Sequence, residues 1–137
     1  MTADAADREL GQSNGRPRKA TGNVLDKSCL NSLREVQRPG EADFVTELID
    51  LFLVEVTLQL EALHEALRNA DAFEIERLAH RLKGSSASLG ATQLAALFSE
   101  LEGKDSFAGA RDVMAQLERE FELVREALKA ERRGTAE

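Results

Sequence analysis

The residues that could do chemistry are concentrated in one stretch, 79–91, which reads AHRLKGSSASLGA. It places an imidazole at His80 and an ammonium at Lys83. A neutral imidazole nitrogen is a competent nucleophile near neutral pH and can form covalent intermediates. A nearby ammonium disfavours the imidazolium form, and it would compensate the negative charge of a phosphoryl group taken up by the ring. His80 is therefore a candidate nucleophile, and Lys83 is its candidate charge partner.

Helical geometry places His80 on an outer face of the segment that carries it. At about 100° per residue, the apolar residues of the segment share one stripe; they are Ile75, Leu78, Ala79, Leu82 and Leu89. His80 lies about 150° from the centre of that stripe and is predicted to face solvent. Residues three, four or seven positions away share its face, namely Glu76, Lys83, Gly84 and Ala87.

Gly84 conflicts with the helical pattern around it. A glycine inside a helix costs about 1 kcal/mol relative to alanine, so its presence calls for a reason. One interpretation is that the missing side chain lets another protein approach His80 closely; the other is an ordinary surface histidine beside a helix end. The serines that follow, Ser85 and Ser86, would either donate hydrogen bonds to a phosphoryl group or bond back to helix carbonyls.

Other chemistries do not fit the sequence. Ser88 stands where a nucleophile elbow needs glycine, and the stretch lacks the GK[ST] ending of a phosphate-binding loop. No zinc or calcium motif is present. The only other histidine, His64, is interpreted as a partly exposed structural residue. Three glutamates of the last segment are interpreted as a solvated helix face: Glu118, Glu120 and Glu122.

Composition narrows the class of protein. The 137 residues suit one domain, and the net charge of −7 disfavours nucleic acid as a partner. The single cysteine, Cys29, cannot form an internal disulfide and is expected to be a small, partly buried apolar residue. No apolar run is long enough to span a bilayer, and no signal peptide follows Met1, so we expect a soluble, cytoplasmic chain.

Periodicity predicts helices alone. Nothing alternates with period two, and helical spacing predicts five helices, at about residues 26–37, 41–69, 71–89, 92–102 and 107–130. Asp26 and Asp71 are good N-caps, Pro39-Gly40 ends the first helix, and Gly90 suits the C-terminal cap of the third.

The inward face of each helix can be read from the same spacing. We expect Leu30 and Leu33 to face inward in the first helix, and six residues to do so in the second: Phe44, Leu48, Phe52, Val56, Leu63 and Leu67. In the fourth helix the inward residues are Leu94, Leu97, Phe98 and Leu101. The fifth carries a heptad seam of Ala110, Met114, Leu117, Phe121, Val124 and Leu128.

A heptad seam serves either a dimeric coiled coil or an intrachain bundle. The other amphipathic helices favour the bundle. We therefore predict an all-α fold, an antiparallel four-helix bundle with a short accessory N-terminal helix. The bundle should span residues 24–131, after a disordered leader at 1–23 and before a frayed tail at 132–137.

The motif AHRLKGSS, followed by Leu89-Gly90-Ala91 and Leu101-Glu102, closely resembles the histidine-containing phosphotransfer (HPt) family of two-component phosphorelays. The wider helical pattern extends the resemblance to about residues 24–130. The resemblance implies that His80 accepts a phosphoryl group from a receiver-domain aspartate and passes it to another receiver. It implies that Lys83 compensates charge and that Gly84 provides clearance.

The resemblance also implies the partners and the surface that meets them. Partners would be response-regulator receiver domains and a hybrid sensor histidine kinase. We expect recognition to centre on Gly84 and Ala87, with Glu76, Arg77 and Lys83 nearby. Ser85 is carried over as a neighbour of the phosphate. Glu102 takes a place where some members carry Gln near the histidine, which allows a polar contact.

The family further implies a phosphohistidine carrier without its own ATP site or cofactor, with Mg²⁺ held by the receiver. With no kinase, receiver or membrane segment in the sequence, we expect a monomer that is a free-standing shuttle or a terminal piece of a kinase. The rival functions are a helical adaptor that binds a receiver or kinase by occupancy, and a homodimeric coiled coil.

Overall fold

The chain forms five α-helices in a computed structural model, which describes residues 24–37 and 43–136, with side chains described up to Arg132. The helices are α1 (Lys27–Glu35), α2 (Phe44–Arg68), α3 (Ala72–Ser88), α4 (Thr92–Glu102) and α5 (Phe107–Ala136). No strand occurs in the described ranges. The predicted leader at 1–23 and the Pro39-Gly40 stop lie outside them.

Three helices begin at aspartate caps. Asp26, Asp43 and Asp71 each accept a hydrogen bond, 3.1 Å long in every case, from a backbone N–H in the first turn of the helix that follows. Such a side chain satisfies one of the amide groups that a helix start leaves without a partner. The predicted caps at Asp26 and Asp71 are confirmed.

Helices α2 to α5 make the bundle. α3 packs against α2 and α4, and α5 packs against the same two helices from the other side, while α1 lies on α2. Short connections make successive helices antiparallel. Every residue of the α5 heptad seam is buried within this chain, as are the inward residues predicted for α4. The all-α four-helix bundle is confirmed, and the seam serves the chain's own core.

The predicted inward face of α2 is wrong in its first two turns. Phe44 is exposed and Leu48 is half-buried, whereas Val45 and Ile49 are fully buried. Four residues turn a helix by about 400°, so a row of strict four-residue steps rotates by about 40° at each step. The row through Phe44 and Leu48 therefore turns away from the core. The residues that stay on the core face follow a mixed spacing of four and three, through Val45, Ile49 and Phe52.

Glu120 corrects the expectation of a solvated face on α5. It is only 4% exposed, while Glu118 and Glu122 are exposed. Its position completes a 4-3-4 row with Val113, Leu117 and Val124, which are all buried. That spacing keeps a residue on the core face whatever its polarity.

Helix α5 runs to Ala136, six residues beyond its predicted end at 130. Glu131 forms ion pairs with Arg34 at 3.0 Å and Lys27 at 3.3 Å, and Arg132 pairs with Asp50 at 2.7 Å. These contacts with α1 and α2 lie past the predicted end, and they favour continued helix there. Fraying of the last residues stays a prediction.

A tight connection between α3 and α4 fixes the position of α1. Gly90 has φ +85°, and its carbonyl oxygen accepts a 2.7 Å hydrogen bond from the N–H of Asp26. A side chain on Gly90 would overlap the carbonyl oxygen of Asp26. The next residue, Ala91, is fully buried and donates its N–H to the carbonyl of Ser86 at 2.9 Å. Gly90 therefore follows the end of α3 as predicted and also meets α1.

Candidate functional site

His80 projects from the middle of α3 into solvent. Its side chain is 70% exposed, while Leu78, Ala79 and Leu82 beside it are buried in the core. The apolar stripe therefore fixes the rotation of α3, and the histidine lies on the opposite side, as the sequence predicted.

One carboxylate bridges His80 and Lys83. Glu102, the last residue of α4, places Oε2 2.9 Å from Nδ1 of His80 and accepts a 2.9 Å hydrogen bond at Oε1 from Nζ of Lys83. The hydrogen bond from Lys83 is the largest cause that lowers the pKa of Glu102; partial burial opposes it, and the contact with His80 lowers the pKa further. Glu102 is thus held as an anion with both oxygens engaged.

The bridge determines which ring nitrogen faces outward. An ionised carboxylate can only accept hydrogen bonds, so Nδ1 of His80 must carry the proton that meets Glu102. The neutral ring then has its lone pair on Nε2. A nitrogen with a free lone pair on an exposed ring is the arrangement that a nucleophile requires.

The surface beside His80 is open. A Cβ atom added to Gly84 would meet no atom of residues 24–37 or 43–136 within 4 Å, and Ala87 is exposed one turn further on. Gly84 lies inside α3, well before its end at Ser88, so the reading of this glycine as a helix end is excluded. The packing of the described residues does not require a glycine here.

The other predicted surface residues are placed less uniformly. Glu76 and Arg77 are exposed on α3, and Arg77 pairs with Glu74 through two hydrogen bonds of 2.6 and 2.9 Å. Ser85 is five residues from His80, which is about 140° around the helix. Its hydroxyl donates to the carbonyl of Arg81 at 3.4 Å, and it lines a groove with Leu48 and Phe52 of α2.

The structure therefore does not bring either serine beside the imidazole. Ser86 is fully buried, so its hydroxyl cannot reach a group bound to His80. Ser85 faces α2, and its hydroxyl bonds back to a helix carbonyl. Of the two predicted uses, a bond to a phosphoryl group or one to a helix carbonyl, Ser85 has the second.

Sequence reasoning missed exposed apolar residues on α3 and on the neighbouring α2. Phe73 is 76% exposed and lies seven residues before His80, which is about 20° around the helix. On α2, Leu51, Val54 and Leu58 are exposed next to Glu55, which forms a 3.3 Å ion pair with Arg81 of α3. The seven-residue spacing would have found Phe73. The α2 residues could not be found in this way, because their relation to α3 depends on how the two helices pack.

The second histidine has a different setting. Nε2 of His64 on α2 contacts a carboxylate oxygen of Glu118 on α5, and the ring is partly exposed. Nε2 of His64 is thus occupied. Three and four positions on, where His80 has Lys83 and Gly84, His64 has the buried Leu67 and the large Arg68. The partial exposure predicted for His64 is confirmed, as is that of Cys29.

The described residues contain neither a metal-type cluster nor a membrane-spanning helix. In residues 24–37 and 43–136, no three His, Cys, Asp or Glu side chains are grouped to hold a metal ion. Within the same ranges, none of the helices combines the length and apolarity needed to cross a membrane.

Comparison with known proteins identifies the family. A family model described as the Hpt domain matches residues 47–130, which is more than half of the chain. Histidine-containing phosphotransfer protein 5 of Arabidopsis thaliana is 27% identical over 104 residues, which cover 72% of this chain and 66% of that protein, just under two thirds of its length.

Two solved structures agree in fold and sequence. Histidine-containing phosphotransfer protein B from Pseudomonas aeruginosa is 36% identical, with a TM-score of 0.72 over 82% of this chain and 97% of its own. A histidine-containing phosphotransfer protein from Medicago truncatula is 27% identical, with a TM-score of 0.67 over 79% of this chain and 76% of its own. The chain therefore belongs to the Hpt domain family.

Proposed function

We propose that His80 is the phosphoacceptor of this chain and that it carries the phosphoryl group between receiver domains. The observation that supports this most directly is the exposed ring whose Nδ1 is held by Glu102, so that Nε2 points to solvent. His64 is the only other histidine in the sequence, and its Nε2 is occupied by Glu118.

The reaction needs little from the carrier beyond a positioned nucleophile. The lone pair of Nε2 attacks the phosphorus of a receiver's aspartyl phosphate; the P–O bond breaks and its electron pair returns to the aspartate. Onward transfer reverses these steps on a second receiver. In this proposal Mg²⁺ and the acceptor aspartate belong to the receiver, and this chain supplies no ATP site and no cofactor of its own.

Lys83 would compensate the phosphoryl charge. Its ammonium lies one turn from His80 and is already drawn to this side of α3 by Glu102. A lysine side chain is long and its ammonium can rotate among acceptors, so Nζ can share its hydrogen bonds between Glu102 and the phosphoryl oxygens.

The receiver would dock on the surface that surrounds the ring. At its centre, Gly84 has no side chain and Ala87 only a methyl group, and Glu76 and Arg77 place charges at the rim. Phe73 is exposed towards the start of α3, and the neighbouring helix α2 exposes a row of Leu51, Val54 and Leu58. Apolar and small residues at the centre with charges at the rim are typical of protein interfaces. Ser85, which faces α2, would make a minor contact at the edge of this surface.

The proposal extends to the setting of the protein. We place it in the cytoplasm as a monomer, with response-regulator receiver domains and a hybrid sensor histidine kinase as partners. The seam of α5 is used inside the bundle, which supports a monomer because no second copy is needed to cover it.

A transfer assay tests the assignment of His80. Wild type, His80→Gln and His64→Gln are each mixed with a pre-phosphorylated receiver domain, and acid-labile phosphate is followed on this chain. We expect label on wild type and His64→Gln and none on His80→Gln, with unchanged thermal stability for His80→Gln because its side chain is exposed. Label on His80→Gln, or no label on any form with receivers that bind, would refute it; the second result would favour an adaptor that acts by occupancy.

A further inference from the structure

The contact between Glu102 and His80 has a consequence for the phosphorylated state, not only for the resting state. Attack by Nε2 leaves the proton on Nδ1, so the first product is a ring phosphorylated on one nitrogen and protonated on the other. Whether that proton stays depends on the group that faces Nδ1. Here that group is a carboxylate 2.9 Å away whose pKa is lowered, chiefly by Lys83.

We infer that Glu102 keeps the Nδ1 proton on His80 through the whole transfer cycle, which makes the phosphohistidine short-lived and quick to pass its group on. An ionised carboxylate offers no hydrogen to an unprotonated Nδ1, so loss of the ring proton would place two acceptors against each other. The positive charge of the phosphorylated ring is meanwhile balanced by the carboxylate beside it.

The bond changes balance without any proton transfer. On uptake, the Nε2 lone pair forms the N–P bond and the P–O bond to the donor aspartate breaks. On release, an aspartate oxygen of the second receiver forms the new P–O bond, and the electron pair of the N–P bond returns to Nε2. The departing group is then a neutral imidazole that already carries its Nδ1 proton. A neutral leaving group departs more readily than an imidazolate anion.

Glu102 is therefore a positioning residue that acts through His80. Both of its oxygens are used, and they have separate partners: Oε2 faces the ring and Oε1 faces Lys83. This separation lets the two functions be tested apart. Removing Lys83 should leave the ring proton in place, while replacing Glu102 by Gln should release it, because an amide can turn its NH₂ group towards an unprotonated Nδ1.

The inference rests on the proposed role of His80 and is tested by nitrogen NMR. Wild type, Glu102→Gln, Glu102→Ala and Lys83→Ala, each labelled with ¹⁵N-histidine, are phosphorylated by phosphoramidate or by a phosphorylated receiver domain at neutral pH. The sequence has two histidines, so His64 is an internal reference in every spectrum. Glu100→Gln, two residues before Glu102 on α4 and exposed, is the matched control.

We expect the phosphorylated ring to be protonated at Nδ1 in wild type, Glu100→Gln and Lys83→Ala, and unprotonated in both Glu102 variants. The Glu102 variants should also hold their phosphoryl group longer, by about tenfold in half-life, because the ring then leaves as an anion. An unprotonated Nδ1 in phosphorylated wild type would overturn the inference and leave the role of His80 intact. A protein that neither donor phosphorylates would overturn the proposed function and the inference with it.

Discussion

Two glycines six residues apart in the same stretch are present for opposite reasons. Gly84 belongs to the open face, which we define as His80, Lys83, Gly84 and Ala87. Gly90 belongs to the joint, defined as Asp26, Gly90 and Ala91, where α1 meets the connection between α3 and α4. A Cβ atom on Gly84 would meet no described residue within 4 Å, whereas one on Gly90 would overlap the backbone of Asp26.

The difference separates what the fold needs from what a partner needs. Gly90 has φ +85°, a conformation that favours glycine, so the chain's own structure accounts for it. Gly84 sits in ordinary helix, where glycine costs about 1 kcal/mol relative to alanine, and no close contact with a described residue offsets that cost. Among the described residues nothing occupies the space above Gly84, which agrees with the proposal that a receiver approaches there.

The largest effect should come from filling that space. We expect Gly84→Gln to lower the rate of phosphoryl transfer from a receiver by about 100-fold, because a long side chain next to His80 separates two reacting groups that must come into contact. Its stability to urea should equal or exceed that of wild type, since the helix gains a better helix former.

A matched control is Ala115→Gln, which adds a similar side chain to an exposed position of α5, the helix diagonal to α3 in the bundle. Stopped-flow or quenched-flow transfer measures both variants. Normal transfer by a folded Gly84→Gln protein would remove the steric role of the open face.

Most of the open face could be predicted from the sequence because it depends on the rotation of a single helix. The apolar stripe around Leu78 and Leu82 fixed the direction of His80, and the cap at Asp71 fixed the start of α3. Glu102 is different: it lies 22 residues from His80 on another helix, so helical spacing could not place it, and only the family resemblance pointed to its polar contact.

The errors have a similar physical origin. Phe44 and Glu120 differ from prediction because neither polarity nor a strict four-residue step determines which residues are buried; the mixed three- and four-residue spacing does. The meeting of Gly90 with Asp26 joins residues 64 positions apart, which no local pattern encodes; only the cap at Gly90 was predictable.

Gly90→Ala should have the largest effect on stability. Positive φ and overlap with the carbonyl of Asp26 together should lower the free energy of unfolding by about 2–3 kcal/mol. Urea denaturation measures this. The rate of transfer per folded molecule should be unchanged, because no residue of the open face is altered.

Gly103→Ala is the control for that experiment. Gly103 has φ −93°, and an added Cβ would lie 3.8 Å from its nearest neighbours, so the change should be nearly neutral. Equal stability of the Gly90→Ala and Gly103→Ala proteins would show that the joint tolerates a side chain and that the two glycines of the comparison do not differ as described.

A smaller effect on transfer should come from the charge of the open face. We expect Lys83→Ala to slow phosphorylation of His80 by about tenfold, because the ammonium near the phosphoryl oxygens is lost but solvent screens part of the charge at this half-exposed position. Lys83→Arg should keep much of the rate. Lys104→Ala, a lysine of the loop after α4, is the control and should transfer normally; a Lys83→Ala protein as fast as this control would exclude charge compensation.

The smallest effect concerns the thermal stability that Asp26 of the joint contributes, and its loss at acid pH. Hydrogen bonds from the hydroxyl of Ser28, and next from its backbone N–H, lower the pKa of Asp26 in the folded protein. A lowered folded-state pKa means that the carboxylate stabilises the protein above its unfolded-state pKa, and that this contribution disappears as the pH falls through the folded-state pKa.

Asn still caps a helix, so Asp26→Asn should melt only a few degrees below wild type at neutral pH. The difference in Tm should shrink towards zero in acid, where Asp26 is protonated, while Asp43 and the other carboxylates go on destabilising both proteins together. A difference that widens in acid would contradict this sign, and a change in the transfer rate at neutral pH would show that the joint also positions the open face.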